Sequence, residues 1–293
     1  LATIHFVDIP RDEGSQSGGD GGFAPKIVSW MREVDALAIV LRNFQSPFSE
    51  TPPQPAQELR DFAAEMVLTD LVQVETRLAR VKKDRSVTPQ EEALLHRVKE
   101  HLEAEKPLRI LEMSEDEVTM LSGFAFLSQK PALAVLNLED GDTVDDMMAE
   151  LQPVCEEAEV QCFALFGRSE AEIAELSPED QEAFIADLGV TASARTRFIQ
   201  AAFHLLDLIS FLTSGEDECR AWPVPRGTTA RAAAGKIHSD IERGFIRAEV
   251  TAWEDFVAND CSESKCRTAG KLRLEGKEYL TQDGDIMHFR FNV

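Results

Sequence analysis

Three near-continuous runs of apolar residues, each of strand length, mark the first two-thirds of the chain. They cover residues 35–44, 131–137 and 160–166. Such runs are typical of parallel strands that are covered on both faces. A helix predicted at about 143–158 separates the last two runs, so the sequence predicts a βαβ unit within a parallel sheet.

A helical spacing replaces these runs between the first and second strands. Apolar residues in 56–85 recur at alternating intervals of three and four, which predicts a helix with a coiled-coil seam. The seam positions are Leu71, Val74, Leu78 and Val81. Thr88 before Pro89 predicts the start of a second helix, which runs to about 103. Two helices joined by so short a turn form an antiparallel hairpin.

The remaining pattern predicts a second module at the C-terminus. Residues 3–8 are interpreted as a short apolar strand that ends in Asp8, and residues 170–214 as helical. Beyond Gly215, the pattern favours a β-grasp module that combines short strands with one helix. The strands are predicted at 218–224, 245–251, 277–281 and 286–291, and the helix at 229–243.

These elements predict three domains. Residues 1–50 and 126–210 form an α/β domain, 51–125 form the helical hairpin inserted in it, and 211–293 form the β-grasp module. A chain of 293 residues has room for this number of cores.

Composition and charge narrow the function classes. Apolar residues make up 43% and charged residues 28%, as in ordinary globular proteins. The five cysteines include no C-x-x-C pair, and no apolar run is long enough to span a bilayer, so we expect a cytoplasmic protein with reduced thiols and no membrane partner. The net charge of −23 disfavours nucleic-acid binding by the overall field, and no DNA specificity is expected.

The charge is unevenly distributed. Residues 215–293 contain 12 Lys and Arg against 14 Asp and Glu, so nearly all of the excess negative charge precedes them. Any contact with RNA is therefore expected in the C-terminal third.

The C-terminal third also carries a family resemblance. Residues 235–250 read Gly-Lys-Ile-His-Ser-Asp-Ile-Glu-Arg-Gly-Phe-Ile-Arg-Ala-Glu-Val, and 283–293 read Asp-Gly-Asp-Ile-Met-His-Phe-Arg-Phe-Asn-Val. With Arg-Ala-Trp-Pro-Val-Pro at 220–225, they resemble the TGS domain of the YchF family, the Obg-like ATPases. The resemblance implies a Ras-like P-loop NTPase domain with an inserted helical hairpin, followed by a β-grasp TGS domain. It also implies ATP or GTP with Mg²⁺ as ligands, and ribosomes or RNA as partners.

The switch segment of that family corresponds here to residues 5–12. Asp8 keeps the carboxylate that holds Mg²⁺ in P-loop enzymes, although a carboxylate that only caps a strand stays an alternative. The family's glycine is replaced by Arg11, and Pro10 lacks an N–H donor. Gly18, Gly19, Gly21 and Gly22 match a glycine-rich switch that ends at Lys26, and a flexible loop without a ligand explains them equally well.

The base-reading segment of the resemblance follows the strand at 131–137. Asn137, Leu138 and Asp140 occupy the positions of the family's Asn-x-x-Glu motif, and base preference stays open because Glu139 could replace Asp140 after a one-residue slip. Gly167, Arg168 and Ser169 follow the next strand and would supply backbone contacts to the base. A strand-to-helix turn and a helix N-terminus are the respective alternatives.

No catalytic residue is assigned. The family's histidine after Phe44 is absent from 45–51, and the six histidines have no metal-ligand spacing. Loss of a proton-transfer group would remove a factor of roughly 10² to 10⁴ in rate.

A candidate RNA surface lies around Gly244 and Phe245. Positive side chains beside an aromatic ring can contact phosphates and stack on a base. The candidates are Lys236, His238, Arg243 and Arg247. The alternative is a solvated amphipathic helix whose apolar side faces a core.

Two functions follow from this sequence. The first is a YchF-type protein that binds and hydrolyses ATP, or GTP, and associates with ribosomes or RNA. The second is a non-hydrolysing adaptor that binds ribosome, RNA or protein through its TGS and helical domains. Gly-x-x-x-x-Gly-Lys-Ser/Thr does not occur in residues 1–293, which favours the second function unless a P-loop precedes Leu1 in the full polypeptide.

Overall fold

The computed structural model describes residues 5–9, 22–46, 51–81, 87–139, 141–177, 179–181, 193–215 and 218–292. They fall into two compact units, the first within Val7–Leu205 and the second within Leu1–Phe6 and Leu206–Val293. None of the described helices combines the length and the apolar character that a membrane span requires.

The described part of the first unit contains a three-stranded parallel sheet and seven α-helices. The strands are β1 (Leu37–Asn43), β2 (Ala132–Leu138) and β3 (Gln161–Leu165). The helices are α1 (Pro25–Glu33), α2 (Pro55–Val81), α3 (Pro89–Glu103), α4 (Glu115–Leu121), α5 (Val144–Glu157), α6 (Gly167–Ala174) and α7 (Ala194–Leu205). The strand order is β1-β2-β3, so the predicted βαβ unit, β2-α5-β3, is confirmed.

The core of this unit lies around β2. Six of the seven β2 residues are buried, which agrees with a parallel strand covered on both faces. The prediction of two covered faces is wrong for β1, where Ala38 and Val40 are exposed and Val40 keeps 68% of its surface. Among the described strands, β1 pairs only with β2, and it packs one face against the core.

The helices α2 and α3 share a second hydrophobic cluster. Val74 of α2 and Leu95 and Val98 of α3 are completely buried in it. The predicted start of α3 is confirmed, because the Thr88 hydroxyl accepts a hydrogen bond from the Glu91 backbone N–H at 3.1 Å.

The predicted strand at 3–8 is wrong over its described part. His5 to Asp8 are exposed and lie in no strand, and residues 1–4 lie outside the described residues. A strand is stabilised by ladder hydrogen bonds to a neighbour, and no described strand pairs with this segment.

The second unit is a mixed five-stranded sheet with helices. Its strands are β4 (Leu208–Ser214), β5 (Cys219–Pro225), β6 (Phe245–Ala252), β7 (Arg273–Glu275) and β8 (Asp285–Phe291). Its helices are α8 (Ala230–Ile237), α9 (Ser239–Arg243), α10 (Trp253–Ala258) and α11 (Glu263–Thr268). The strand order is β5-β4-β8-β6-β7, with β4 and β8 parallel and the other pairs antiparallel.

The small side chains of α8 allow it to approach one face of this sheet closely. Ala230, Ala233 and Ala234 are completely buried in the same cluster as Ala248 and Val250 of β6. This face of the sheet is the core face, and the other is the outer face.

Three predictions fail in this half of the chain. Residues 208–214 form β4 rather than helix, because Ile209 and Phe211 alternate into the core and the strand pairs with β5. The predicted strand at 277–281 is absent apart from one bridge between Thr229 and Leu280. The predicted helix at 229–243 is interrupted at His238, whose backbone is extended.

Candidate functional site

The carboxyl ends of the three parallel strands meet at one edge of the first sheet. Asn43 ends β1, Asn137 lies near the end of β2, and Gly167 follows β3. In open α/β sheets, ligands bind outside this edge. The candidate base-reading residues therefore lie where the fold places a ligand.

Asn137 and Gly167 are in direct contact. The Asn137 Oδ1 accepts a hydrogen bond from the Gly167 backbone N–H at 2.9 Å. A Cβ atom added at Gly167 would lie 2.8 Å from that oxygen, so a side chain does not fit without moving the amide. The two segments that the sequence assigned to base recognition, 30 residues apart, are thus brought together.

A second contact at this edge was missed by the sequence analysis. Asp142 Oδ2 accepts hydrogen bonds from Asn43 Nδ2 at 2.9 Å and from the Glu139 backbone N–H at 3.0 Å. It connects the end of β1 to the loop that follows β2. A polar residue, Asn43, at the end of an apolar strand was the sequence signal for this contact. Its partner Asp142 lies 99 residues away along the chain, so the sequence did not identify the pair.

The other candidates at this edge differ in what they can contact. Leu138 is only 3% exposed and its side chain packs in the core, so only its backbone can contact a ligand. Arg168 is exposed and its Nε lies 3.4 Å from Glu172 Oε1 on the same helix. Ser169 is half-buried in the first turn of α6, and Asp140 lies outside the described residues.

The switch candidates are only partly described. Asp8 is exposed and makes no hydrogen bond or ion pair within the described part of the chain. Pro10, Arg11 and the first three glycines of the loop lie outside the described residues. Lys26 lies in α1, with its Nζ 4.7 Å from the centre of the Trp30 ring.

Two cavities flank the first sheet. One of about 290 Å³ lies beside the carboxyl edge and is lined by Asn43, Leu136 and the start of α2. The other, of about 920 Å³, lies at the amino ends of β2 and β3, beside Arg109 and Cys162. The smaller cavity is the better candidate for a ligand, because it lies at the edge where α/β sheets bind ligands.

Four basic residues of the second unit were predicted to contact RNA, and the structure separates them. Lys236 is exposed in the last turn of α8, His238 caps the start of α9, and Arg243 is the last residue of α9. The Nδ1 of His238 accepts a hydrogen bond from the Asp240 backbone N–H at 3.2 Å, and Arg243 pairs with the Asp240 carboxylate. Three of the four candidates thus lie on the helical side.

Arg247 lies on the other side of the sheet. Successive side chains of a strand point to opposite faces, and Ala248 points into the core. Arg247 therefore projects from the outer face. Among the residues that the structure describes, no group of three or more His, Cys, Asp or Glu is arranged to hold a metal ion.

Comparison with known proteins agrees with this geometry. The family model YchF-GTPase_C, "Protein of unknown function (DUF933)", matches residues 208–292. The chain is 36% identical to the ribosome-binding ATPase YchF of Bacillus subtilis over 99% of its own length and 82% of the relative. It is 34% identical to the protein of the same name from Pasteurella multocida, with the same coverage.

Solved structures show the same relationship. The YchF GTPase of Schizosaccharomyces pombe superposes with a TM-score of 0.82 at 26% identity, covering 92% of this chain and 75% of that one. A GTP-binding protein from Pyrococcus horikoshii, at 17% identity, shares the fold with a TM-score of 0.56 and coverage of 89% and 80%.

Proposed function

This chain belongs to the YchF family, and we propose that it is a nucleotide-binding protein that associates with ribosomes. The observation that carries the nucleotide site is the 2.9 Å hydrogen bond between Asn137 and Gly167. It joins the end of β2 to the first residue of α6, which follows the neighbouring parallel strand β3, at the edge where such sheets bind ligands. The nucleotide is ATP or GTP, accompanied by Mg²⁺.

The base would be held by the Asn137 amide and by the backbone of 167–169. The close approach of Gly167 to Asn137 supports this assignment, because it leaves a backbone surface without side chains beside the amide. Leu138 would contribute through its main chain, and Asp140 would distinguish adenine from guanine. Arg168 and Ser169 would contribute their backbone N–H groups.

Asp8 would hold Mg²⁺. Magnesium is usually bound in proteins by one or two carboxylates together with substrate phosphates, so a single free carboxylate is a sufficient protein contribution. The exposed, unpaired state of Asp8 within the described residues supports this role. The ion would neutralise charge on the phosphates.

We also propose the family's domain organisation. Residues 1–50 and 126–210 would form the nucleotide-binding domain, 51–125 the helical hairpin and 211–293 the TGS domain. The shared cluster of α2 and α3 supports the hairpin, and the sheet with its packed helix α8 supports a β-grasp module. The start of β4 at Leu208 favours a TGS domain that begins a few residues earlier.

Hydrolysis is the activity in the names of the relatives, and we propose it for the full-length protein. A specific observation favours a second candidate, the adaptor that binds without hydrolysis: Arg11 replaces the switch glycine, and Pro10 before it lacks an N–H donor. Steady-state release of phosphate by the full-length protein, with and without ribosomes, separates the two. Release no faster than that of a protein-free control would leave only the adaptor.

Thermal unfolding tests the nucleotide site directly. Full-length protein with ATP and Mg²⁺ at 100 times the dissociation constant should be stabilised by about 2.7 kcal/mol. Gly167→Ala should reduce the shift, because the new methyl group displaces the Asn137 amide. Gly123→Ala, where an added Cβ meets no atom within 4 Å, is the matched control. Equal shifts in both variants would remove Asn137 and Gly167 from the site.

Co-sedimentation with ribosomes tests the proposed association with ribosomes. The wild-type protein should pellet with ribosomes at low salt and dissociate as the salt concentration rises. A protein that stays in the supernatant at every salt concentration would contradict ribosome association.

A further inference from the structure

The outer face of the second unit's sheet carries basic side chains from three elements. On β6, Arg247 and Glu249 point away from the core, because Ala248 and Val250 point into it. The opposing β8 places Arg290 across from Arg247 and His288 across from Glu249. Arg267 reaches the same face from α11.

Glu249 fixes two of these guanidinium groups. It is 9% exposed and accepts hydrogen bonds from Arg290 Nε and Nη2, each at 3.2 Å, and from Arg267 Nη2 at 3.2 Å. The hydrogen bonds from Arg290 hold the pKa of this carboxyl below its usual value, so it is ionised at neutral pH. One carboxylate thus orients two arginines, and the side chains of Arg290 and Arg267 stay 48% and 62% exposed.

Arg247 adds a third positive charge to this face. Within the described residues it makes no hydrogen bond or ion pair, and it stands directly across from Arg290. Like charges in opposing positions of an antiparallel pair are destabilising. The fold therefore keeps two like charges side by side at the surface, and a bound anion would relieve their repulsion.

The surroundings of these three residues leave the face positive. Glu263 is near enough to Arg290 to act on its charge, so Arg247, Arg267 and Arg290 face two carboxylates, Glu249 and Glu263. Leu274 of β7, across from Glu249, is 59% exposed and offers an apolar surface beside them. A positive face is unusual in a chain with a net charge of −23.

We propose that this arginine face, formed by Arg247, Arg267 and Arg290, binds the phosphate backbone of RNA. The proposal rests on the proposed ribosome association and names the surface that makes the contact. Planar guanidinium groups match phosphate oxygens in a bidentate manner. Since the net charge of the chain repels RNA at a distance, the attraction acts only at short range.

The helical side of the module is a weaker candidate. Its basic residues Lys236 and Arg243 are interspersed with Asp240 and Glu242, and Arg243 is already paired with Asp240. The charges there nearly cancel. This contrast provides a matched control of equal charge on the same module.

The test compares two double variants of the full-length protein. Arg247→Gln with Arg267→Gln removes two charges from the arginine face and keeps the bond between Arg290 and Glu249. Lys236→Gln with Arg243→Gln removes two charges from the helical side. Binding to ribosomes and to a short labelled single-stranded RNA is measured as a function of salt, and thermal unfolding verifies that both variants are folded.

The arginine-face variant should bind both probes roughly tenfold or more weakly, with a smaller slope of log K against log salt concentration. Loss of two phosphate contacts lowers that slope by about 1.4 to 1.8. The helical-side variant should keep the wild-type slope. Equal losses in the two variants, or unchanged binding of the arginine-face variant, would overturn the proposal.

Two further outcomes separate it from the proposed function. If the wild-type protein binds ribosomes and both variants bind them as well as the wild type does, only the assignment of the arginine face is wrong. If the wild-type protein binds no ribosomes, the arginine face and the proposed ribosome association are both wrong. Tighter binding of polyglutamate than of RNA at equal charge concentration would favour an acidic protein as the partner, and would also overturn the RNA assignment.

Discussion

The carboxylate of Asp70 accepts two hydrogen bonds from Ser128, one from its backbone N–H and one from its hydroxyl, both at 2.7 Å. A third comes from the Leu127 backbone N–H at 2.9 Å. Asp70 and Ser128 are completely buried. The burial raises the pKa of Asp70, and these hydrogen bonds oppose the rise. The contact ties α2 to the segment that leads into β2.

We expect Asp70→Ala to destabilise the protein by about 3 kcal/mol, because it leaves three buried donors without an acceptor. Ser128→Ala should cost about 2 kcal/mol, since it removes the hydroxyl that donates to Asp70 and that accepts a hydrogen bond from the buried Leu108 backbone N–H at 3.2 Å. Asp61→Ala, on the exposed side of the same helix, is the control and should change the stability by less than about 0.5 kcal/mol. Urea midpoints give the three values, and a loss in Asp61→Ala equal to that in Asp70→Ala would contradict the assignment.

The ion pairs of Glu249 predict a dependence of stability on pH. Arg290 holds the pKa of this carboxyl below its usual value in the folded state. Its stabilising contribution is therefore fully present above the unfolded-state pKa, near 4.3, and is lost as the pH falls through the lower folded-state value. Glu249→Gln should lower the melting temperature at neutral pH, and the difference from wild type should shrink under acidic conditions.

Glu254→Gln serves as the control for that titration, since Glu254 is exposed and makes no ion pair within the described residues. Because it removes no ion pair, it should change the melting temperature little at neutral pH. A gap between wild type and Glu249→Gln that stays constant from neutral to acidic pH would refute the ionic explanation.

The close approach of Gly244 to the C-terminal strand predicts a second destabilising change. A Cβ added there would lie 2.0 Å from the backbone oxygen of Asn292. Asn292 also donates its backbone N–H to the Gly244 oxygen at 2.9 Å, so relief of the clash disturbs the start of β6. We expect Gly244→Ala to cost about 2 kcal/mol. Gly276→Ala, where an added Cβ meets no atom within 4 Å, should leave the stability nearly unchanged. Calorimetric unfolding of both variants measures the two effects.

Cysteine reactivity gives a further prediction. Burial raises the pKa of Cys155 to about 12, so its thiol stays protonated at neutral pH, and thiolate is the reactive form. Cys219 and Cys261 are exposed. Timed alkylation of the folded protein, followed by mass spectrometry, should label Cys219 and Cys261 first and Cys155 only after denaturation. Early labelling of Cys155 in the folded state would show that the protein is more open than the structure.

Local signals located most elements but assigned some of them wrongly. The apolar runs placed β1, β2 and β3 within three residues of their observed ends, since an apolar run is a property of the strand itself. Residues 208–214 carry a pattern that fits either a helix or a strand, and only pairing with β5 decides between them. The interruption between α8 and α9 at His238 likewise depends on the hydrogen bond that the His238 side chain accepts from the Asp240 backbone N–H.

Motifs, periodicity and helix capping are encoded in neighbouring positions, and they were enough to predict the family, the parallel sheet, the Thr88 helix start and the residue types at the candidate sites. Only the folded chain brings Asn137 to Gly167, and only there does Arg247 join Arg290 on the outer face rather than Lys236 on the helical side. Strand pairing and the choice of sheet face depend on partners tens of residues away, and a single strand's pattern does not specify them.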